Sequence, residues 1–208
     1  MKKCISLITA TMLAIILFRC DSDNKIISND KTMVIGSGPI VLKTVDPPAF
    51  QSIVNIAMTR VSVTKGSPQK VVLKAQQNVL DVLRCEVEAG KLTLDFGENI
   101  NVKTSEEIEA DITVAAISDI NSIGVGNFTM TGAKQSRIIF NLTGTGNVDA
   151  YALPVDTCTI TITGTGNCRI RVNELLVVTL TGTGNVYYKG NPSIISSVTG
   201  TGRIINDN

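Results

Sequence analysis

The sequence predicts an all-β chain folded as a single-stranded β-helix, a solenoid with coils of about 18–20 residues. Three observations predict it. Gly-x-Gly recurs five times between residues 124 and 202, and the first glycines, Gly124, Gly144, Gly164, Gly182 and Gly200, are spaced 20, 20, 18 and 18 residues apart. A fixed period near 20 marks a unit that cannot bury its own apolar face and must stack on its neighbours. Aligned on those glycines, the even offsets are apolar but for one serine: Leu142, Ile162, Leu180 and Val198 two residues before, Phe140, Ile160, Val178 and Ser196 four before, and Val148, Cys168, Val186 and Ile204 four after. The odd offsets are polar, which is the period-two signature of a strand with one buried face. The stretch from 33 to 115 has the same β grammar and shows no long amphipathic helix.

Taken in chain order, residues 1–20 read as a signal peptide. Lys2 and Lys3 precede an apolar run from Ile5 to Phe18, which is short for a membrane span. Leu17-Phe18-Arg19-Cys20 resembles a bacterial lipobox, in which Cys20 is lipidated and becomes the mature N-terminus. Arg19 departs from the small residue usual there, and an ordinary secretory peptide or an uncleaved anchor is the competing reading. Residues 21–32, opening with polar Asp21-Ser22-Asp23-Asn24, read as a flexible tether. Residues 33–208 then form one β domain, with irregular coils over 33–115 and regular ones over 116–208. In the irregular part, strands are expected over Ile53–Thr64, Lys70–Ala75, Leu80–Glu88, Leu92–Phe96 and Glu109–Ala115. Gly66-Ser-Pro, Asn78 and Ala89-Gly90-Lys are the expected turns.

In the regular coils the glycines fall at even, inward positions, which marks a corner or a place where the opposite wall packs closely. A phosphate-cradling loop does not fit, because no Lys-Ser/Thr follows any copy. Three or four aliphatic side chains per coil bring roughly 1.5–3 kcal/mol each. Ordering a coil of that length costs on the order of 1–2 kcal/mol per residue. A lone coil therefore fails and stacking must supply the difference. Beyond the signal only Cys85, Cys158 and Cys168 remain, an odd number that permits at most one disulfide. Cys158 and Cys168 occupy columns of Ile, Leu and Val and read as buried free thiols. Arg203 and the terminal Asn206-Asp207-Asn208 read as polarity that blunts the open end of the stack.

The irregular half resembles a known family in the order of its features. Gly36-Ser-Gly-Pro39, Phe50-Gln-Ser-Ile53, Val61-Ser-Val-Thr-Lys-Gly66, Asn78-Val-Leu80 and Gly90-Lys-Leu-Thr-Leu94 follow its pattern, as does the string of Gly-x-Gly-Asn coils. The chain is similar over roughly residues 34–205 to the putative auto-transporter adhesin, head-GIN domain family, a bacterial group of unknown function common in lipoproteins. The resemblance implies a right-handed β-helix and a secreted or surface location, and it carries no catalytic residues.

Function is less legible. A net charge of +1 gives no steering field for nucleic acid, and no partner of that kind is expected. There is no His, and the regular coils hold only Asp149, Asp156, Glu174 and Asp207, which share no column. A polysaccharide-cleaving β-helix enzyme, the alternative reading, needs paired carboxylates on one face. No catalytic residue, cofactor or metal site is expected. The expected role is a non-catalytic, β-helical structural or adhesion-like binding module of the envelope, an outer-membrane lipoprotein held by lipid at Cys20. Its binding face would be the outward ladders Thr143, Thr163 and Thr181, then Thr145, Thr165 and Thr183, then Asn147, Asn167 and Asn185, with Tyr151 and Tyr187 beside them. Glycans or another envelope protein are the expected partners. Two competing readings attach to the same ladders: they simply complete the outer face of a sheet, or, remotely, the Thr array orders water as ice-binding β-helices do.

Overall fold

The computed structural model describes residues 31–208. The signal peptide, the lipobox cysteine Cys20 and tether residues 21–30 lie outside the described residues; Thr32, expected in the tether, already belongs to a strand. The all-β reading holds. The described residues form seventeen strands and one four-residue helix, Gln77–Leu80, and fifteen of the strands share one sheet.

Two rows of parallel strands organise that sheet. The first row runs through Lys91–Asp95, Ser52–Asn55, Asp119–Gly124 and Gln135–Gly144, then the later halves of Asn147–Gly164 and Cys168–Gly182, and ends at Ser193–Gly200. The second row runs through Ile108–Val114, Thr59–Lys65 and Asn127–Gly132, then the early halves of Asn147–Gly164 and Cys168–Gly182, Val186–Lys189 and Ile204–Asn206. Register follows the repeat: Gly124 pairs Gly144, Gly144 pairs Gly164, Gly164 pairs Gly182 and Gly182 pairs Gly200. The step from 20 to 18 residues is absorbed around Tyr151 in two irregularities: Ala150 pairs Ile170, Pro154 pairs Arg171, and Thr157 pairs Leu175. Antiparallel strands complete the other end: Ile40–Val45 with Lys70–Gln76, that strand with Ile108–Val114, and Arg84–Glu88 with Lys91–Asp95. A separate two-stranded sheet joins Thr32–Ile35 to Ile100–Lys103.

The core lies between the two rows. Ile138, Phe140, Leu142, Cys158, Ile160, Ile162, Leu176, Val178 and Leu180 come from the first, and Phe128, Met130, Val148, Ala150, Cys168, Ile170 and Val186 from the second. All are buried, so the even columns point inward as expected. Cys158 and Cys168 are buried free thiols, and burial raises both above the usual thiol range. Cys85 is half-buried and pushed up to about 11 by burial.

Several expectations need correction. The two glycines of each pair are not equivalent: the first is only partly covered or exposed and the second is the buried one in the repeats at Gly146, Gly166 and Gly184. The first takes a backbone conformation closed to other residues, φ +131° at Gly164, and turns the chain from one row to the next. At the second, an added Cβ would fall inside 3.0 Å of the carbonyl oxygen one coil earlier, as Gly166 does against Gly146. The tight neighbour is thus the backbone of the paired strand one repeat earlier, not an opposite wall. The expected strand Ile53–Thr64 breaks after Asn55 and resumes at Thr59. That break is the irregular counterpart of the Gly-x-Gly corner, bridged by Asn55 Nδ2 donating to the Thr59 carbonyl at 2.9 Å. Asn78, expected in a turn, sits in the short helix, where its amide donates to Ile35 O and accepts from Ser37 N. The following strand consequently starts at Arg84 and not at Leu80.

Candidate functional site

Thr143, Thr163 and Thr181 stand exposed at the end of the first row, and Thr145, Thr165 and Thr183 are exposed on the corner itself. Because a glycine of positive φ turns the chain between them, the two threonine columns lie on either side of a bend. The two columns therefore do not continue along one strand. The hydroxyls of these six threonines make no hydrogen bond among the described residues, whereas the asparagines bond one another from repeat to repeat. Asn127 Oδ1 accepts from Asn147 Nδ2 at 3.0 Å, and Asn147 Oδ1 accepts from the backbone N–H of Asn167 at 2.9 Å and its Nδ2 at 3.2 Å. Asn167 Oδ1 does the same for Asn185, and Asn185 Oδ1 accepts from the Arg203 N–H at 3.0 Å. Each amide therefore caps the coil that follows it, where the corner interrupts the backbone ladder. The Asn column links successive repeats in register, a structural duty that leaves one amide N–H per asparagine for anything else.

The second row carries the more varied surface. Register sets Thr129, Asp149, Arg169 and Tyr187 in one outward column beside the asparagines. With Arg60 they line a shallow groove of about 440 Å³ that also includes Asn127, Asn147 and Asn167. Arg169 lies 5.6 Å from the Tyr187 ring centroid and 4.0 Å from the Asp149 carboxylate. Arg60 pairs with Glu107 at 2.5 Å. Tyr151 sits in the irregular step described above, and its position lets it reach across coils. Its hydroxyl donates to Asp207 Oδ2 at 2.6 Å, and Lys189 Nζ stands 4.8 Å from its ring centroid. Burial first, and the Asp207 carboxylate second, push the Tyr151 phenol well above its ordinary range, so it acts as a neutral donor.

Of the predicted residues, the structure brings Asn147, Asn167 and Tyr187 into this groove, leaves the threonines on the corner, and places Tyr151 one column away on its own cation and carboxylate. Arg60, Thr129, Asp149 and Arg169 were missed. The last three were readable, since they continue the odd column alignment one step past Asn. Arg60 was not, because only the folded register stacks Arg60 next to Asn127. The site offers amide, guanidinium, carboxylate and aromatic groups in one open groove, a composition for holding polar ligands. Asp156, read earlier only as an isolated carboxylate, is bound by Lys134 at 2.7 Å and by Asn173 at 3.1 Å.

Comparison with known proteins adds the following. A sequence profile described as putative auto-transporter adhesin, head GIN domain, matches residues 49–141 and 119–192. A crystal structure described as a putative adhesin from Bacteroides fragilis aligns with a TM-score of 0.52 at 18% identity, covering 83% of this chain and 99% of that one. Another putative adhesin, from Parabacteroides merdae, aligns with a TM-score of 0.46 at 16% identity over 84% of this chain and 99% of its own. A putative lipid binding protein from Parabacteroides distasonis aligns at 0.45 and 14% identity, over 84% of this chain and 100% of its own. No curated protein matches the chain.

Proposed function

The chain belongs to the putative auto-transporter adhesin, head GIN domain family, and on that premise we propose that it is a non-catalytic binding module of the bacterial cell envelope. In this reading residues 33–208 form one right-handed β-helical unit, with the two parallel rows as its walls and the Gly-x-Gly corners as its edges. A lipidated Cys20 and the tether after it hold the domain at the outer membrane. The ligand is a glycan, held in the groove of the second row.

The observation that carries the proposal is the outward column Thr129, Asp149, Arg169 and Tyr187 against the asparagine ladder. Tyr187 supplies a ring face for the apolar side of a sugar, Arg169 and the spare Asn amide protons supply donors, and Asp149 supplies an acceptor. A glycan array probed with the full chain tests the reading: specific retention that is lost in Tyr187→Ala and Arg169→Ala, with thermal unfolding unchanged, supports it. Retention that ignores both changes, or capture of one envelope protein in place of any glycan, rejects it. The anchor is tested separately by metabolic labelling with palmitate, which Cys20→Ala should abolish.

A further inference from the structure

Among the described residues the large sheet ends in four edge strands: Ile40–Val45, Arg84–Glu88, Ser193–Gly200 and Ile204–Asn206. An open edge is a template for pairing, and proteins blunt such edges with charge or brevity. Three of the four follow that rule. Ile40–Val45 carries Lys43, Arg84–Glu88 carries Arg84, Glu86 and Glu88, and Ile204–Asn206 is only three residues long. Ser193–Gly200 does not: it runs for eight residues, Ser-Ile-Ile-Ser-Ser-Val-Thr-Gly, without a charge. The terminal Asn206-Asp207-Asn208, expected to blunt the end of the stack, belongs to the second row, where Asp207 is tied to Tyr151 and Asn208 to Gly190. The first row is left open.

The open strand also leaves its inward columns unfinished. Leu176 and Leu180 in the previous coil are fully buried, but their successors Ile194 and Val198 are 41% and 43% exposed, and Ile195 is 61% exposed. We propose that two copies of this chain pair through Ser193–Gly200, antiparallel about a two-fold axis, to form an end-to-end dimer. Self-pairing fits this strand because it brings no like charges together. Inward columns meet when Ile194 lies opposite the partner's Val198, which places Ser196 opposite the partner's Ser196. That register continues the core across the interface and buries the exposed aliphatic side chains, while the two-fold axis closes the assembly at two. A head-to-tail filament is disfavoured by the charged edge strands at the opposite end.

Sedimentation equilibrium of the full chain in detergent tests this, with the bound detergent density-matched. The expected protein mass is twice that of the monomer, falling to the monomer mass in Val198→Lys. Far-UV circular dichroism verifies that the variant keeps its strands. Ser196→Cys provides a readout that does not depend on a disruptive change: mild oxidation should yield a disulfide-linked dimer on a non-reducing gel, and neither the wild type nor Thr163→Cys should. A wild-type monomer at all concentrations, a dimer that survives Val198→Lys, or no cross-link in Ser196→Cys overturns the proposal.

Discussion

Replacing Gly166 by alanine adds one methyl group, and the structure says where that methyl goes. It falls inside 3.0 Å of the Gly146 carbonyl oxygen, a backbone atom that cannot rotate away. Relief requires the two coils to separate at the corner, which strains the Asn147 to Asn167 contact beside it. Forcing a methyl into packed structure typically costs about 1–3 kcal/mol, and a backbone obstacle puts this case at the upper end. Alanine recovers roughly 0.4–1 kcal/mol by restricting the unfolded chain. The net loss is about 2–2.6 kcal/mol, or roughly 4–10 °C in Tm for a domain of this size. Gly90 is the control: its φ is +74°, yet an added Cβ there meets nothing within 4 Å. Gly90→Ala meets only the left-handed penalty of about 1–2 kcal/mol, offset in part by the same chain restriction to about 0–1.6 kcal/mol, so Tm should fall by about 6 °C or less. Differential scanning calorimetry of the two variants makes the comparison. If Gly166→Ala lowers Tm no more than Gly90→Ala, close stacking of coils is not the reason for the repeated glycine.

Asn167→Ala removes the acceptor of the Asn185 N–H and should cost about 1–2 kcal/mol, seen as a lower urea midpoint at unchanged m-value. The triple change of Thr145, Thr165 and Thr183 to Val touches no internal hydrogen bond and should shift stability by less than about 0.5 kcal/mol per site by the same measurement. Cys158 and Cys168 should resist Ellman's reagent in the folded protein, with Cys85 reacting slowly and all three reacting at once in urea. The same thiols make stability fall with alkaline pH. Unfolded thiols ionise near about 8.5, whereas Cys85 holds its proton to about 11 and the other two are also raised. The native state thus binds more protons, and its stability, fully present below about pH 8.5, should decline from there upward in urea titrations repeated across pH.

How far the sequence could be read depended on whether a repeat was present to supply the register. From Gly124 onward most strand residues have a counterpart 18 or 20 positions away, the exceptions gathering at the irregular step around Tyr151, so a column is a face, and the buried and exposed sides followed directly. Before Gly124 no such ruler exists. There the corner is made by Asn55 and Thr59 and not by glycines, and a strand that turns between two rows looks like one continuous run. The site shows the same division. Asp149, Arg169 and Tyr187 were accessible to column reading, but the groove they line depends on Arg60, which reaches it through pairing of Thr59–Lys65 with Asn127–Gly132 across a separation of 67 residues. The asparagine ladder was visible as a column, open both to a binding-face reading and to one of stacked side chains that complete the outer face; the Asn-to-Asn hydrogen bonds belong to the second. Alternation can say that a side chain points outward, but only the folded distances say that its amide is already occupied by the next coil. Thr and Asn looked alike as an outer polar surface. In the structure the Asn column is bound to its own neighbours, whereas the Thr hydroxyls of the corners make no hydrogen bond among the described residues, a difference that alternation alone cannot register.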